Sequence, residues 1–287
     1  MLPMMHYHPV VCTIVRSSLL LICLAVLLSC NTEYKPLELK DRYKVQGSGL
    51  IGIAAAEDGY YISDGANSRI LVADGNFRVI DSIVGLERPM HIEYKDGALL
   101  VPNYGSDVIL SIDMETRENK ELQTSAQFDA PSGIALSSMH GLAVADFYNH
   151  QVQLIKGDQV TILGQKGTEA GSFTYPTDVQ FVGDYLYVAD AYNNRGQRID
   201  LSADPIAYMA FGEAEKYNAA IGIAVTERLV ALTDQENGRV HVYDAATLEL
   251  IQTLDLTGHK PIEVLWEDDA LLVLLFDTGE VLRYSPR

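Results

Sequence analysis

Between residues 50 and 287 one pattern recurs six times. A short apolar segment, often opened by Pro-x-Gly, is followed by a second apolar segment that mostly ends in Asp. A polar turn with Asn and Arg comes next, then another apolar segment. The clearest copies of the second half are Ile62-Ser63-Asp64-Gly65-Ala66-Asn67-Ser68-Arg69-Ile70 and Val188-Ala189-Asp190-Ala191-Tyr192-Asn193-Asn194-Arg195. Such a unit cannot bury its own faces and must stack on its neighbours, so the repeat constrains the fold more than any local signal.

The first apolar residues of the opening segments are Ile53, Ile92, Ile134, Val179, Ile223 and Val264, in steps of 39, 42, 45, 44 and 41 residues. The apolar runs are short, rich in Val, Ile, Leu and Tyr, and broken by Gly, Asp and Asn. That reads as strands and tight turns. Four short strands in each period of about 40 residues is the pattern of a propeller blade. An all-β, six-bladed β-propeller of four-stranded antiparallel blades is therefore expected.

The second strands end at Asp64, Asn103, Asp146, Asp190, Asp234 and Asp277. A short acceptor there is expected to bond backbone N–H groups two or three residues on. Asn67, Asn149, Asn193 and Asn237 follow and tolerate left-handed backbone. Arg69, Arg195 and Arg239 are placed to pair with an Asp of the same or a neighbouring blade.

These units resemble NHL repeats over essentially all of residues 48–287, in a TolB-like architecture. The most specific stretch is Gly164-Gln165-Lys166-Gly167-Thr168-Glu169-Ala170-Gly171-Ser172-Phe173, followed by Tyr175-Pro176-Thr177-Asp178-Val179. It matches the blade-to-blade connection of that family, which implies a six-bladed propeller. The sixth blade lacks an outer strand before the chain stops at Arg287. The extended segment Leu37 to Val45 is expected to supply it, joining first blade to last and removing an exposed edge.

Residues 1–29 read as a signal peptide: Arg16 is their only Asp, Glu, Lys or Arg, and Ser17 to Ser29 is a short apolar run. Leu27-Leu28-Ser29-Cys30 resembles the lipobox of bacterial lipoproteins, with Leu28 a less usual residue. Lipidation of Cys30 is expected, with 30–36 as a tether and 37–287 as the propeller. Cys12, Cys23 and Cys30 are the only cysteines, so the propeller has neither disulfides nor thiol chemistry. The location implied is extracytoplasmic, on a bacterial envelope membrane. Asn31 after the cysteine favours the outer one.

With 39 Asp and Glu against 21 Lys and Arg, the chain has no basic surface to replace phosphate counterions, which excludes nucleic acid. The acidity mainly favours solubility, and a monomeric propeller is expected. The residues opening each innermost strand are Gly52, His91, Gly133, Asp178, Gly222 and Glu263. Pseudo-symmetry sets His91, Asp178 and Glu263 around one channel mouth, where they would hold a divalent ion, calcium or zinc. Alternatively, Asp178 is a turn residue, the other two are simply exposed, and no cofactor is required. Tyr104, Phe147, Tyr148 and Tyr192, with His150 and Arg195, fall in or beside second-to-third-strand turns and suit a protein, peptide or carbohydrate partner. Packing over the next blade is the competing reading. Trp266 reads as core.

Peptidyl-α-hydroxyglycine lyases are similar propellers that carry zinc-ligand His directly after the Pro opening a blade. Here those slots hold Met90, Ser132, Thr177 and Ile262. Gluconolactonase-like and strictosidine-synthase-like propellers imply a calcium site whose Asn-Gly motifs find no match. The sequence therefore points to a membrane-anchored binding or scaffolding module. The alternative is a metal-dependent lyase or hydrolase acting at the channel mouth.

Overall fold

The computed structural model describes residues 34–47 and 49–287. The signal peptide, Cys30 and most of the tether lie outside the described residues. Pro36–Arg287 forms a unit of its own. Among the described residues no helix is long and apolar enough to cross a membrane.

Six four-stranded antiparallel sheets follow one another along the chain. The opening strands are Leu50–Ala56, Glu93–Lys95, Pro131–Ser137, Pro176–Val182, Ala220–Val225 and Pro261–Glu267. In blades one to five the sheet order is the chain order. The sixth takes Leu37–Lys44 as its outer strand, paired antiparallel to Glu280–Pro286 from Leu37↔Pro286 to Lys44↔Glu280. The closure expected from the missing strand is present. It is tied further by Leu37 N–H donating to Gln252 Oε1 (2.9 Å) and Arg287 N–H donating to the Pro36 carbonyl (3.0 Å).

The core lies between neighbouring blades because alternate strand residues face opposite sides of each sheet. Leu186, Val188 and Ile199 of blade four, for example, share an apolar cluster with Ala143, Ala145 and Val152 of blade three. Tyr60 stacks on Phe77 at 4.1 Å within blade one, beside Tyr43 of the closing strand.

The turn acids work over a longer span than the sequence suggested. Asp190 Oδ1 accepts from Thr174 N–H, Asp234 Oδ1 from Asn218 N–H and Asp146 Oδ1 from Asp129 N–H, each at 2.8 Å. Asn103 Oδ1 accepts from Glu87 N–H in the same way at 2.8 Å, and Asp277 Oδ1 from Lys260 N–H at 2.9 Å. Each therefore clamps the connection that enters its own blade. The second oxygen takes the Asn and Arg of the turn, as in Asn193 and Arg195 on Asp190 at 2.8 and 3.0 Å. Arg69, Arg195 and Arg239, placed to pair within a blade or with its neighbour, each pair with the Asp of their own blade.

Left-handed backbone falls one residue after the expected Asn, at Ser68, His150, Asn194 and Gly238. The Asn side chain is already committed to the Asp, so the next residue makes the bend. Several of these residues then reach the following blade. Asn194 Oδ1 accepts from Ala219 N–H (2.9 Å) and His150 Nδ1 from Tyr175 N–H (3.1 Å).

Candidate functional site

The opening strands begin and the second strands end on the same face of the propeller, so the channel mouth and the second-to-third-strand turns share that face. In blades three, four and six the residue after the opening Pro sits at a β-bulge: the register slips between Pro131 and Gly133, Pro176 and Asp178, and Pro261 and Glu263. A bulge re-aims the side chain that follows, and here it accompanies Asp178 and Glu263 at the axis.

His91, Asp178 and Glu263 meet there. Each offers one nitrogen or oxygen such that the three atoms lie within 4.8 Å of one another, and all three residues are buried. Their convergence depends on the glycines of the intervening blades. A Cβ on Gly52 would stand 2.7 Å from the Met90 carbonyl oxygen, on Gly133 2.6 Å from the Asp178 Cα, and on Gly222 2.5 Å from the Ile262 oxygen. Real Cβ atoms do not approach that closely. Glycine in blades one, three and five thus lets blades two, four and six press in, and their side chains fill the axis.

Asp178 accepts from Val179 N–H through Oδ1 and from Ile223 N–H through Oδ2, both at 2.8 Å. Glu263 Oε1 accepts from Val264 N–H at 2.8 Å, and Glu263 Oε2 meets His91 Nδ1. His91 Nε2 is buried with no hydrogen-bond partner. Burial pushes the Asp178 carboxyl up to about 8, with the neighbouring Glu263 adding to the shift. Burial likewise raises Glu263 well above the usual carboxylate range and lowers His91.

Toward the rim, Ile51, Met90, Ile221 and Ile262 pack in one apolar cluster. Away from it, a cavity of about 260 Å³ runs from His91, Asp178 and Glu263 past Glu93 and Gln180 to Tyr94, Val225 and Trp266. Burial raises Glu93 to about 7. Trp266 is half-buried beside this cavity and donates from Nε1 to the Ala224 carbonyl (3.2 Å), a channel position rather than the core one expected of it.

The rim carries a continuous aromatic ridge across blades two to four. Ring centroids lie 5.9 Å apart for Tyr104–Phe147, 5.0 Å for Phe147–Tyr148, 4.8 Å for Phe147–Tyr175 and 5.1 Å for Tyr175–Tyr192. Arg88 lies over Tyr104 at 4.5 Å. Tyr148 is 49% exposed and Tyr192 63%.

An NHL-repeat family model matches residues 128–153. The chain is a six-bladed β-propeller that carries an NHL repeat at those residues. Among solved structures the propeller is similar to a streptogramin B lyase, with a TM-score of 0.63 at 13% identity over 88% of this chain and 98% of that one. A catalytically inactive virginiamycin B lyase from Staphylococcus aureus with quinupristin gives 0.62 at 13% over 88% and 100%. A nidogen/laminin complex gives 0.61 at 17% over 72% and 80%. At these identities the likeness concerns the fold. No curated protein sequence matches the chain.

The propeller thus brings His91, Asp178 and Glu263 together, buried rather than exposed. Tyr104, Phe147, Tyr148 and Tyr192 form one surface. His150 and Arg195 stand apart from it in role. His150 is 7% exposed and joins blade three to blade four, its ring 4.3 Å from that of Tyr175. Arg195 is 4% exposed and spans Asp190, the Glu169 and Ser172 carbonyls and Glu213. Both are turned inward because the turn needs their nitrogen atoms. The sequence reading missed Tyr175, the centre of the ridge, and Glu93 in the cavity. Tyr175 had a signal, since it directly precedes the Pro that opens blade four and so falls on the rim. Glu93 had one too, since it opens the strand Glu93–Lys95 two residues after His91, at the channel side of blade two.

Proposed function

We propose that this NHL-repeat propeller is a protein-binding module, held on the outside of a bacterial envelope membrane by a lipid on Cys30. Its partner docks on the ridge of Tyr104, Phe147, Tyr148, Tyr175 and Tyr192. The observation that carries this reading is the continuity of five rings over three blades, with Tyr148 and Tyr192 exposed on it. Rings locked against one another lose little side-chain freedom on binding, and tyrosine gives both apolar area and a hydroxyl. Arg88 beside Tyr104 adds a second residue type common in binding hot spots. The nidogen/laminin likeness is in keeping with a protein partner, though it rests on fold.

The competing reading is a metal-dependent lyase or hydrolase at the channel, in keeping with the lyase neighbours and the buried cluster. Among the described residues no nucleophile with an orienting base stands beside that cluster. The test is co-purification of the full-length protein from its native cells, against Tyr148→Ala and Tyr192→Ala variants with unchanged circular dichroism. Loss of a defined protein partner in the variants supports the reading. A partner retained by both variants, or selective binding of soluble glycans instead, refutes it. Turnover of a lactone or hydroxyglycine substrate that His91→Ala abolishes would place the protein among enzymes.

A further inference from the structure

We propose that His91, Asp178 and Glu263 form a binding site for one divalent transition-metal ion, zinc in the first instance. The site is independent of the aromatic ridge. It does not use the slots where the lyases carry zinc-ligand histidines, since Met90 and Ile262 there are apolar and Ser132 and Thr177 bond backbone carbonyls of the next blade.

Three observations converge on it. The donor atoms come from alternate blades and lie within 4.8 Å of one another, close enough to share one ion with ligand distances of about 2.0–2.2 Å after small side-chain shifts. Apart from His91 on Glu263, no basic side chain reaches the carboxyl groups: among the described residues neither Asp178 nor Glu263 has a lysine or arginine partner within 4.0 Å. Two buried carboxylates need a cation or two protons, and a divalent ion supplies two positive charges at one point. Finally, His91 is 2% exposed and its Nε2 is buried with no hydrogen-bond partner, a lone-pair or N–H group that the fold otherwise leaves unused.

The supporting shell is also present. Backbone N–H groups of Val179, Ile223 and Val264 fix the carboxylates, the kind of outer contact that orients metal ligands. Gly52, Gly133 and Gly222 clear the axis, and the Glu263 Oε1 lies 2.9 Å from where a Gly222 Cβ would be. One imidazole with two carboxylates suits zinc or manganese. Calcium, which takes six to eight oxygens, would find only two carboxylates here. The cavity of about 260 Å³ gives the site its route to solvent, away from the apolar rim side.

The full-length protein, stripped with chelator and titrated with zinc chloride, should take up one equivalent and melt at a higher temperature. Glu263→Gln and Asp178→Asn, which keep shape, should each weaken uptake by at least about tenfold, and Tyr192→Ala should not. X-ray absorption at the zinc edge of the wild-type protein should show a nitrogen and oxygen shell with one imidazole, a readout that does not depend on whether the variants fold. The proposal is overturned if stripped protein takes up no zinc at equimolar concentration. It is equally overturned if Glu263→Gln binds as tightly as wild type, if the shell holds two or more imidazoles, or if calcium alone binds.

Discussion

Replacing Asp190 by alanine should cost far more stability than the equivalent replacement in blade two. Asp190 is fully buried and accepts from four groups: Thr174 N–H and Asn193 Nδ2 at 2.8 Å, Gln197 Nε2 at 2.9 Å and Arg195 Nε at 3.0 Å. In Asp190→Ala the asparagine keeps the Gly167 carbonyl and the glutamine keeps that of Ser172. Thr174 N–H and the Arg195 charge lose their partners, and the remaining carboxylate on Arg195, Glu213, is an exposed one at 3.3 Å. Breaking a buried ion pair costs roughly 3–5 kcal/mol and a stranded N–H about 1–3. Because the two share one site, the total should be about 4–6 kcal/mol, or a fall in melting temperature of roughly 10–20 °C for a domain of this size. Asn103 performs the same clamp with Glu87 N–H and Ser106 and no charged partner, so Asn103→Ala should cost only about 1–3 kcal/mol. Calorimetry of the two variants side by side reads the difference. If Asp190→Ala melts within about 2 °C of wild type, or Asn103→Ala is the more damaging, the clamp is not what holds the blade connections.

Deleting Leu37–Lys44 should lower the melting temperature and broaden the transition, since it removes the seven-pair register with Glu280–Pro286, bares a sheet edge and takes away Leu37 and Tyr43, uncovering Phe77; a truncated protein that melts like the intact one would place closure elsewhere. The chelator-treated protein should lose stability as pH rises from 6.5 to 8, by about 2 kcal/mol per retained proton. Over that window the folded state keeps a proton on Asp178, raised to about 8, that the unfolded carboxyl has already released, and Glu93, raised to about 7, acts in the same direction at its lower end. His91, lowered by burial, acts in the opposite sense, since the unfolded imidazole still releases its proton near pH 6.5, and it offsets part of the fall only at the lower end of the window. A melting temperature unchanged between pH 6.5 and 8, or the same slope in Asp178→Asn, would contradict this. Cys30→Ala should leave the protein unprocessed or release it from the membrane fraction; wild-type protein that never incorporates labelled fatty acid at Cys30 would remove the anchor.

The blade count, the closing strand and the Arg–Asp pairs were legible because each follows from periodicity or from turn chemistry confined to a few residues. The axial trio was legible for a related reason: a fixed repeat position converts sequence offset into angle around the axis. What escaped was long-range. The Thr174 bond to Asp190 spans 16 residues and the His150 bond to Tyr175 spans 25. No local rule separates a turn histidine that latches the next blade from one that faces solvent. Arg195 misled in the same way, since a charged residue in a polar turn is ordinarily exposed. The depth of the trio depended on bulges beside Asp178 and Glu263, whose positions a strand pattern does not reveal.

The most direct test of the binding account is site-specific photo-crosslinking of the full-length protein in its native cells. The photoreactive residue p-benzoylphenylalanine would replace Tyr148 or Tyr192 on the ridge, or Met139, which is 55% exposed on a hairpin of the opposite face. The account predicts one discrete protein adduct shared by the Tyr148 and Tyr192 positions and missing from the Met139 position. Adducts of equal yield from all three positions, or none from either tyrosine position, would contradict it.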